Sequence, residues 1–142
     1  MPDYHKPLPT PDPVTKPYWD SVKAHAMKLQ KCASCGRFVF YPRAVCPHCF
    51  SRELRWTPVS GKGKIYGFTI SHQKAIQAFA AEVPYVIALV ELEEGARLMT
   101  NLVGVEPDPA KIKVGMEVVV QYDDVTDAIT LPKFKPANVE AI

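Results

Sequence analysis

The sequence predicts a mainly β chain: an N-terminal helix, a small metal-bound ribbon and a five-stranded barrel. Three observations carry this. Apolar residues recur at helical spacing from Trp19 to Leu29, all four cysteines lie between Cys32 and Cys49, and five short β-rich segments separated by turn residues follow Gly61. The expected division is residues 1–30 for a proline-rich arm and amphipathic helix, 31–60 for the ribbon, and 61–142 for the barrel.

Six of the 14 prolines fall in the first 17 residues, a density that forbids helix or sheet ladders and predicts an extended surface arm. From Pro17, residues Trp19, Val22, Ala26 and Leu29 share one helical face, with Thr15 or Lys16 near the cap; the helix is expected to end near Gln30. The clearest strands are Lys64–Ile70, Tyr85–Leu92, Arg97–Val103, Glu117–Tyr122 and Ala128–Phe134. Glu93-Glu94-Gly95-Ala96 joins the second and third as a hairpin, with a glycine free to take positive φ. Five short strands without long helical patterns between them suit a small barrel, for which the OB fold is the natural five-stranded candidate.

Composition narrows the function classes. The chain has 142 residues, 47% apolar and 23% charged, which is the profile of a folded domain. Its net charge of +2 hides an asymmetry: residues 1–64 hold 11 Lys and Arg against 4 Asp and Glu, whereas 65–142 hold 6 against 11. A barrel that binds single-stranded nucleic acid combines a basic groove with exposed aromatics, so the acidic barrel half weighs against that alternative function. Four cysteines are too few for a disulfide scaffold and the N-terminus lacks a signal-type apolar region, so a cytoplasmic protein with reduced thiols is expected. No segment approaches the roughly 20 apolar residues of a membrane span, and no membrane association is expected.

Cys32-Ala33-Ser34-Cys35 and Cys46-Pro47-His48-Cys49 form two C-x2-C pairs ten residues apart. Two residues between cysteines turn both thiolates toward one ion, and two such turns complete a tetrahedral four-sulfur shell. A closed shell leaves no position for substrate or activated water, so the site is structural, with zinc as the expected ion. A rubredoxin-type iron centre and a redox role compete, because spacing does not choose the metal. His48 is read as a surface knuckle residue, since four thiolates already fill the shell. Phe38, Phe40, Tyr41 and Val45 are expected to pack the ribbon on its neighbour.

Together with those pairs, the runs Leu29-Gln30-Lys31-Cys32, Cys35-Gly36, Tyr41-Pro42-Arg43, Trp56, Gly61-Lys62-Gly63-Lys64-Ile65-Tyr66, Phe68-Thr69, Pro84-Tyr85-Val86, Val90-Glu91-Leu92 and Gly115-Met116 give the chain a recognisable pattern. It resembles, over nearly its whole length, the zinc-ribbon plus OB-fold family of acyl-CoA-associated proteins long catalogued as domain of unknown function thirty-five. The resemblance implies an N-terminal helix, a rubredoxin-like ribbon and a C-terminal OB barrel. It further implies an accessory subunit in a hetero-oligomer with a thiolase-superfamily enzyme: a thiolase, a lipid-transfer-type thiolase or aldolase, or an acyltransferase. Related domains are fused to hydratase-like hot-dog domains in steroid side-chain degradation. The implied role is non-catalytic, completing the partner in lipid metabolism such as steroid or fatty acid degradation, with acyl-CoA as a candidate ligand.

The residues themselves offer no nucleophile–base pair, paired carboxylates or phosphate loop, so no enzyme of its own is expected. Gly61-Lys62-Gly63-Lys64 reads first as a linker turn; its functional reading has Lys62 or Lys64 touching a CoA phosphate or a partner carboxylate. Asp123, Asp124 and Asp127 lack the glycine and terminal glutamate of a calcium loop and read as a hairpin tip. In the loop Ser71–Val83, residues Ile76, Phe79, Ala80 and Val83 recur at helical spacing, which predicts a short helix with one apolar face. That face either caps the barrel or docks a partner or acyl-pantetheine through Ile76 and Phe79. His72, at the start of the loop, is a surface histidine or an acid–base group.

Overall fold

The computed structural model describes residues 6–73 and 77–137. Its elements, in chain order, are α1 (Lys16–Lys23), β1 (Lys28–Cys32), β2 (Phe38–Val39), β3 (Leu54–Pro58), β4 (Lys62–Ser71), a 3-10 turn (Gln77–Phe79), β5 (Tyr85–Leu92), β6 (Arg97–Leu102), β7 (Glu117–Asp124) and β8 (Thr130–Pro136). A small antiparallel sheet has the order β2-β1-β3, and the other five strands close a barrel in the order β4-β5-β6-β8-β7. All five barrel strands coincide with predicted ones to within two residues at each end.

The helix is shorter than predicted. It starts well, because Asp12 accepts hydrogen bonds from the N–H groups of Val14 and Thr15 (2.9 and 2.8 Å) while Thr15 Oγ1 accepts from the Asp12 N–H (3.0 Å). It ends at Lys23, not near Gln30. Ala26 N–H bonds to Ser21 O and His25 N–H to Val22 O, both at 2.9 Å, with His25 in the left-handed region at φ +58°. This is a Schellman ending in which a histidine takes the place usually held by glycine, so the stop signal was invisible in the sequence. His25 is held there by the barrel: its ring stacks on Tyr122 (4.8 Å, 13° between planes) and Nε2 lies 2.9 Å from Asp124 Oδ1. Leu29 keeps its expected burial, but in β1, beside the equally buried Gln30, rather than on a helix face.

The barrel's register follows from its turns. Gly95, at φ +100°, lets its N–H reach Leu92 O (2.8 Å) while Leu92 N–H bonds Ala96 O (2.8 Å), so β5 and β6 pair from Glu91↔Arg97 to Val86↔Leu102. Alternate residues of β5 are buried, and Val86, Ala88, Val90 and Leu92 meet Ile65, Leu98, Leu102, Val118 and Phe134 inside. β6 and β8 register at one position, Leu102↔Phe134. The ladder stops there for a chemical reason: Pro132 and Pro136, which flank Phe134 on the same edge of β8, have no N–H to give β6. The same core continues without a break through Tyr18, Val22, Met27 and Leu29, so helix, ribbon and barrel share one apolar interior.

Two predictions test this. A Cβ on Gly63 would lie 2.5 Å from Glu91 O and 2.9 Å from Val90 Cγ1. Gly63→Ala should therefore cost about 1–3 kcal/mol of unfolding free energy, read as a lowered denaturant midpoint. Asp124 is held below the usual carboxylate range, by the Thr130 hydroxyl first and by His25 second. A depressed folded-state value contributes stability that is present above the unfolded value of about 3.9 and is lost as pH falls through the folded one. The stability difference between the protein and Asp124→Asn should accordingly shrink on acidification from about pH 5 to about pH 3.

Candidate functional site

The metal centre is built by two matching turns. In the first, Gly36 N–H bonds Cys32 O (2.8 Å) with Gly36 at φ +78°; in the second, Phe50 N–H bonds Cys46 O (2.8 Å) with Phe50 at φ +65°. Ser34 Oγ meets Ser51 Oγ at 2.9 Å and ties the turns together. All four Sγ atoms lie within 4.8 Å of one another, with Cys32–Cys49 at 3.5 Å and Cys35–Cys46 at 3.8 Å. A disulfide needs about 2.05 Å. A tetrahedral shell with metal–sulfur bonds of about 2.3 Å places its sulfurs about 3.8 Å apart, which these separations fit. Cys32 and Cys46 are buried and Cys35 and Cys49 exposed, so the ion would sit under the two turns.

The electrostatics also call for a cation. The Cys35 backbone N–H, aimed at Cys32 Sγ, holds the Cys32 thiol down to about 6 against the opposing effect of burial, with the Ser34 N–H and the thiols of Cys49 and Cys35 adding to it. At Cys49 the Ser51 N–H also pulls downward, but Cys32, burial, Cys35 and Cys46 outweigh it and push the thiol up to about 12. The Cys32 and Cys49 thiols are thus pushed in opposite directions. A divalent ion removes that conflict by making all four thiolates favourable at once. His48 stays outside the shell, with Nδ1 3.2 Å from Arg37 Nη1.

The remaining predicted site residues do not converge. Lys62 and Lys64 line a cavity of about 720 Å³ together with Glu91, Glu93 and Glu117, an acid-rich setting ill suited to a phosphate. Phe79 follows the opposite end of β4 from Lys62 and lines a different cavity. It lines a cavity of about 290 Å³, its ring 5.9 Å from Tyr85, with Lys6 Nζ 5.8 Å above it and paired to Glu82 at 2.6 Å. The arm is thus pinned to the loop. The predicted loop helix is a single 3-10 turn, Gln77–Phe79; Ile76 lies outside the described residues, and His72 is exposed and lines neither cavity.

Sequence reasoning missed a third, more apolar cavity of about 360 Å³ between α1, the loop after β2 and the outer face of β6 and β8. Tyr18, Trp19, Phe40 and Tyr41 form its wall and Met99 and Leu131 part of its floor, with Tyr41 and Met99 56% and 65% exposed. These residues carry no shared motif and come together only in the folded chain. Among the described residues, the histidine–carboxylate pair His25–Asp124 has Thr130 bonded to the carboxylate rather than to the ring, so it activates no nucleophile.

Comparison with known proteins agrees with this architecture. Residues 19–55 match the family described as the ChsH2 rubredoxin-like zinc ribbon domain, and residues 56–123 the ChsH2 C-terminal OB-fold domain. The chain is 41% identical over 120 residues to a probable enoyl-CoA hydratase alpha subunit of Thermomonospora curvata, covering 84% of this chain and 36% of that protein. It thus spans about a third of the length of that relative. It is 38% identical over 111 residues to a DUF35 domain-containing scaffold protein of Methanocaldococcus jannaschii, covering 75% and 78% of the two chains. A benzoylsuccinyl-CoA thiolase subunit BbsA of Thauera aromatica is 28% identical, over 74% and 69%. Among solved structures, a chain of the Ltp2-ChsH2(DUF35) aldolase superposes with a TM-score of 0.80 at 38% identity, covering 92% of this chain and 99% of that one. Among the described residues no helix is long and apolar enough to cross a membrane.

Removal of the metal tests the centre. The protein should carry about one zinc ion per chain. Chelation should make all four thiols titratable and lower the melting temperature, and Cys46→Ser should do both without a chelator. Full metal retention by that variant contradicts the four-thiolate shell.

Proposed function

The chain belongs to the DUF35 family of ChsH2-type zinc-ribbon and OB-fold proteins, and from that premise we propose that it is a non-catalytic scaffold subunit. It binds a thiolase-like enzyme and supports that enzyme's acyl-CoA chemistry. The observation that carries this reading is the superposition over almost the whole DUF35 chain of an aldolase complex, at an identity high enough to extend beyond fold. The relatives named scaffold protein and thiolase subunit support it. So does the chemistry on the page: a closed sulfur shell has no open position, and no described cavity pairs a nucleophile with a base. Hydratase activity in the longer relatives is assigned by this reading to the part of those chains that lies outside the match. No comparison supports nucleic acid binding.

Within this role Phe79 and its cavity are assigned to acyl-pantetheine or partner contact, with His72 at the entrance of the same loop. Lys62 and Lys64, set among carboxylates, are assigned to a partner surface rather than to a CoA phosphate. Reduced thiols holding a metal support a cytoplasmic location.

Co-purification with mass spectrometry tests the function. A thiolase-fold enzyme should be recovered in stoichiometric amount, and its turnover of acyl-CoA should fall when this subunit is withdrawn. Turnover of acyl-CoA thioesters by the isolated chain is the result that overturns the reading. Phe79→Asp should weaken the complex by about tenfold or more, about 1.4 kcal/mol, at unchanged melting temperature.

A further inference from the structure

The two metal turns are built alike but occupied differently. Gly36 and Phe50 each follow a C-x2-C pair, donate their N–H to the carbonyl of its first cysteine, and adopt left-handed φ values of +78° and +65°. Glycine does so freely and an L side chain only under strain. Phe50 gains nothing in packing for that strain: it is 79% exposed and belongs to neither apolar cluster. Strain held at an exposed aromatic points to a role outside the chain.

The surroundings define the partner's chemistry. Residues 28–58 carry six Lys and Arg against one acid, Glu53. Arg37 spans the two turns through its contact with His48, and Arg52 follows Phe50 by two positions. Among the described residues none of Lys31, Arg37, Arg43, Arg52 and Arg55 forms an ion pair. An exposed aromatic on a turn that also carries arginines free of ion pairs is the composition of an interface anchor. We propose that Phe50, flanked by Arg37 and Arg52, docks into an apolar pocket rimmed by carboxylates on the partner enzyme. This rests on the scaffold reading above. The aromatic supplies the buried contact, and the arginines steer the encounter and set its salt dependence. Nucleic acid is the less favoured occupant, because the cationic surface ends where the acidic barrel begins.

The test uses the full chain with its metal and the thiolase-fold enzyme that co-purifies with it. Phe50→Gly restores the residue type of the first turn, so the isolated variant should melt at a higher temperature, keep its zinc and bind the enzyme at least about tenfold more weakly. Phe50→Trp should retain binding, and the Arg37→Glu, Arg52→Glu double variant should slow association and flatten its salt dependence. A lowered melting temperature for Phe50→Gly makes the ring structural and overturns the proposal. If the enzyme binds Phe50→Gly within about twofold of the original protein, the anchor is refuted and the scaffold function stands. If no thiolase-fold enzyme is recovered with the unaltered chain, the scaffold function falls and takes this partner with it. Binding to single-stranded oligothymidylate that is lost in Phe50→Gly assigns the anchor to nucleic acid and overturns the protein-docking proposal.

Discussion

The order of the ribbon rests on four cysteine sulfurs lying within 4.8 Å of one another, where they would share one cation. The ribbon's own apolar cluster is Cys32, Val39 and Cys46 with Leu54 against it, far too little to order some 30 residues. β2 is only two residues long, and the loop between the cysteine pairs has no regular structure beyond it. A metal held by these four cysteines would make this segment a rigid platform. From that platform Phe38, Phe40 and Trp56 reach the main core, and Gln30 clamps the loop by exchanging hydrogen bonds with both backbone groups of Arg43 (2.8 Å each).

The helix is joined to the ribbon by a bend that the barrel locks. His25 ends α1 in a left-handed conformation, and the barrel supplies what makes this tolerable: Tyr122 beneath the ring, Asp124 on Nε2, and Lys23 donating to the Asp127 carbonyl. Tyr122 acts twice, since its hydroxyl also accepts the Met27 N–H (2.9 Å) at the start of β1. The chain therefore changes direction between helix and ribbon at a point fixed by β7 and the turn that follows it. A scaffold benefits from such a joint, because the relative position of its docking faces is set before any partner arrives.

Different parts of the fold were legible to different degrees. The barrel strands declared themselves through short β-rich runs and the turn residues between them, which are local properties; which face of β5 is buried was not legible, because apolar side chains fall on both faces of Tyr85–Leu92. The metal site was equally plain, because ligand spacing within a turn is set by covalent geometry. The helix end was misplaced because Ala26 and Leu29 continue a 3.6-residue period by coincidence, and the true stop is a histidine whose left-handed conformation only Tyr122 and Asp124 explain. Lys62 and Lys64 read first as part of a linker turn in the linear sequence, with an anion contact as their functional alternative. Strand pairing places Lys64 opposite both Glu91 and Glu117, so their neighbours are acidic.

By itself, the sequence determined the composition of the units: a proline arm, a four-thiolate ribbon and a five-stranded acidic barrel, along with the absence of any catalytic motif. These follow from spacing and periodicity over a few residues. Tertiary structure decided what the units present to other molecules. It brought Tyr18, Trp19, Tyr41 and Met99 into one apolar cavity, pinned the arm through Lys6, and left Phe50 strained and outside the core. Exposure and juxtaposition are properties of residues far apart in the chain, so they come into being only when the core closes.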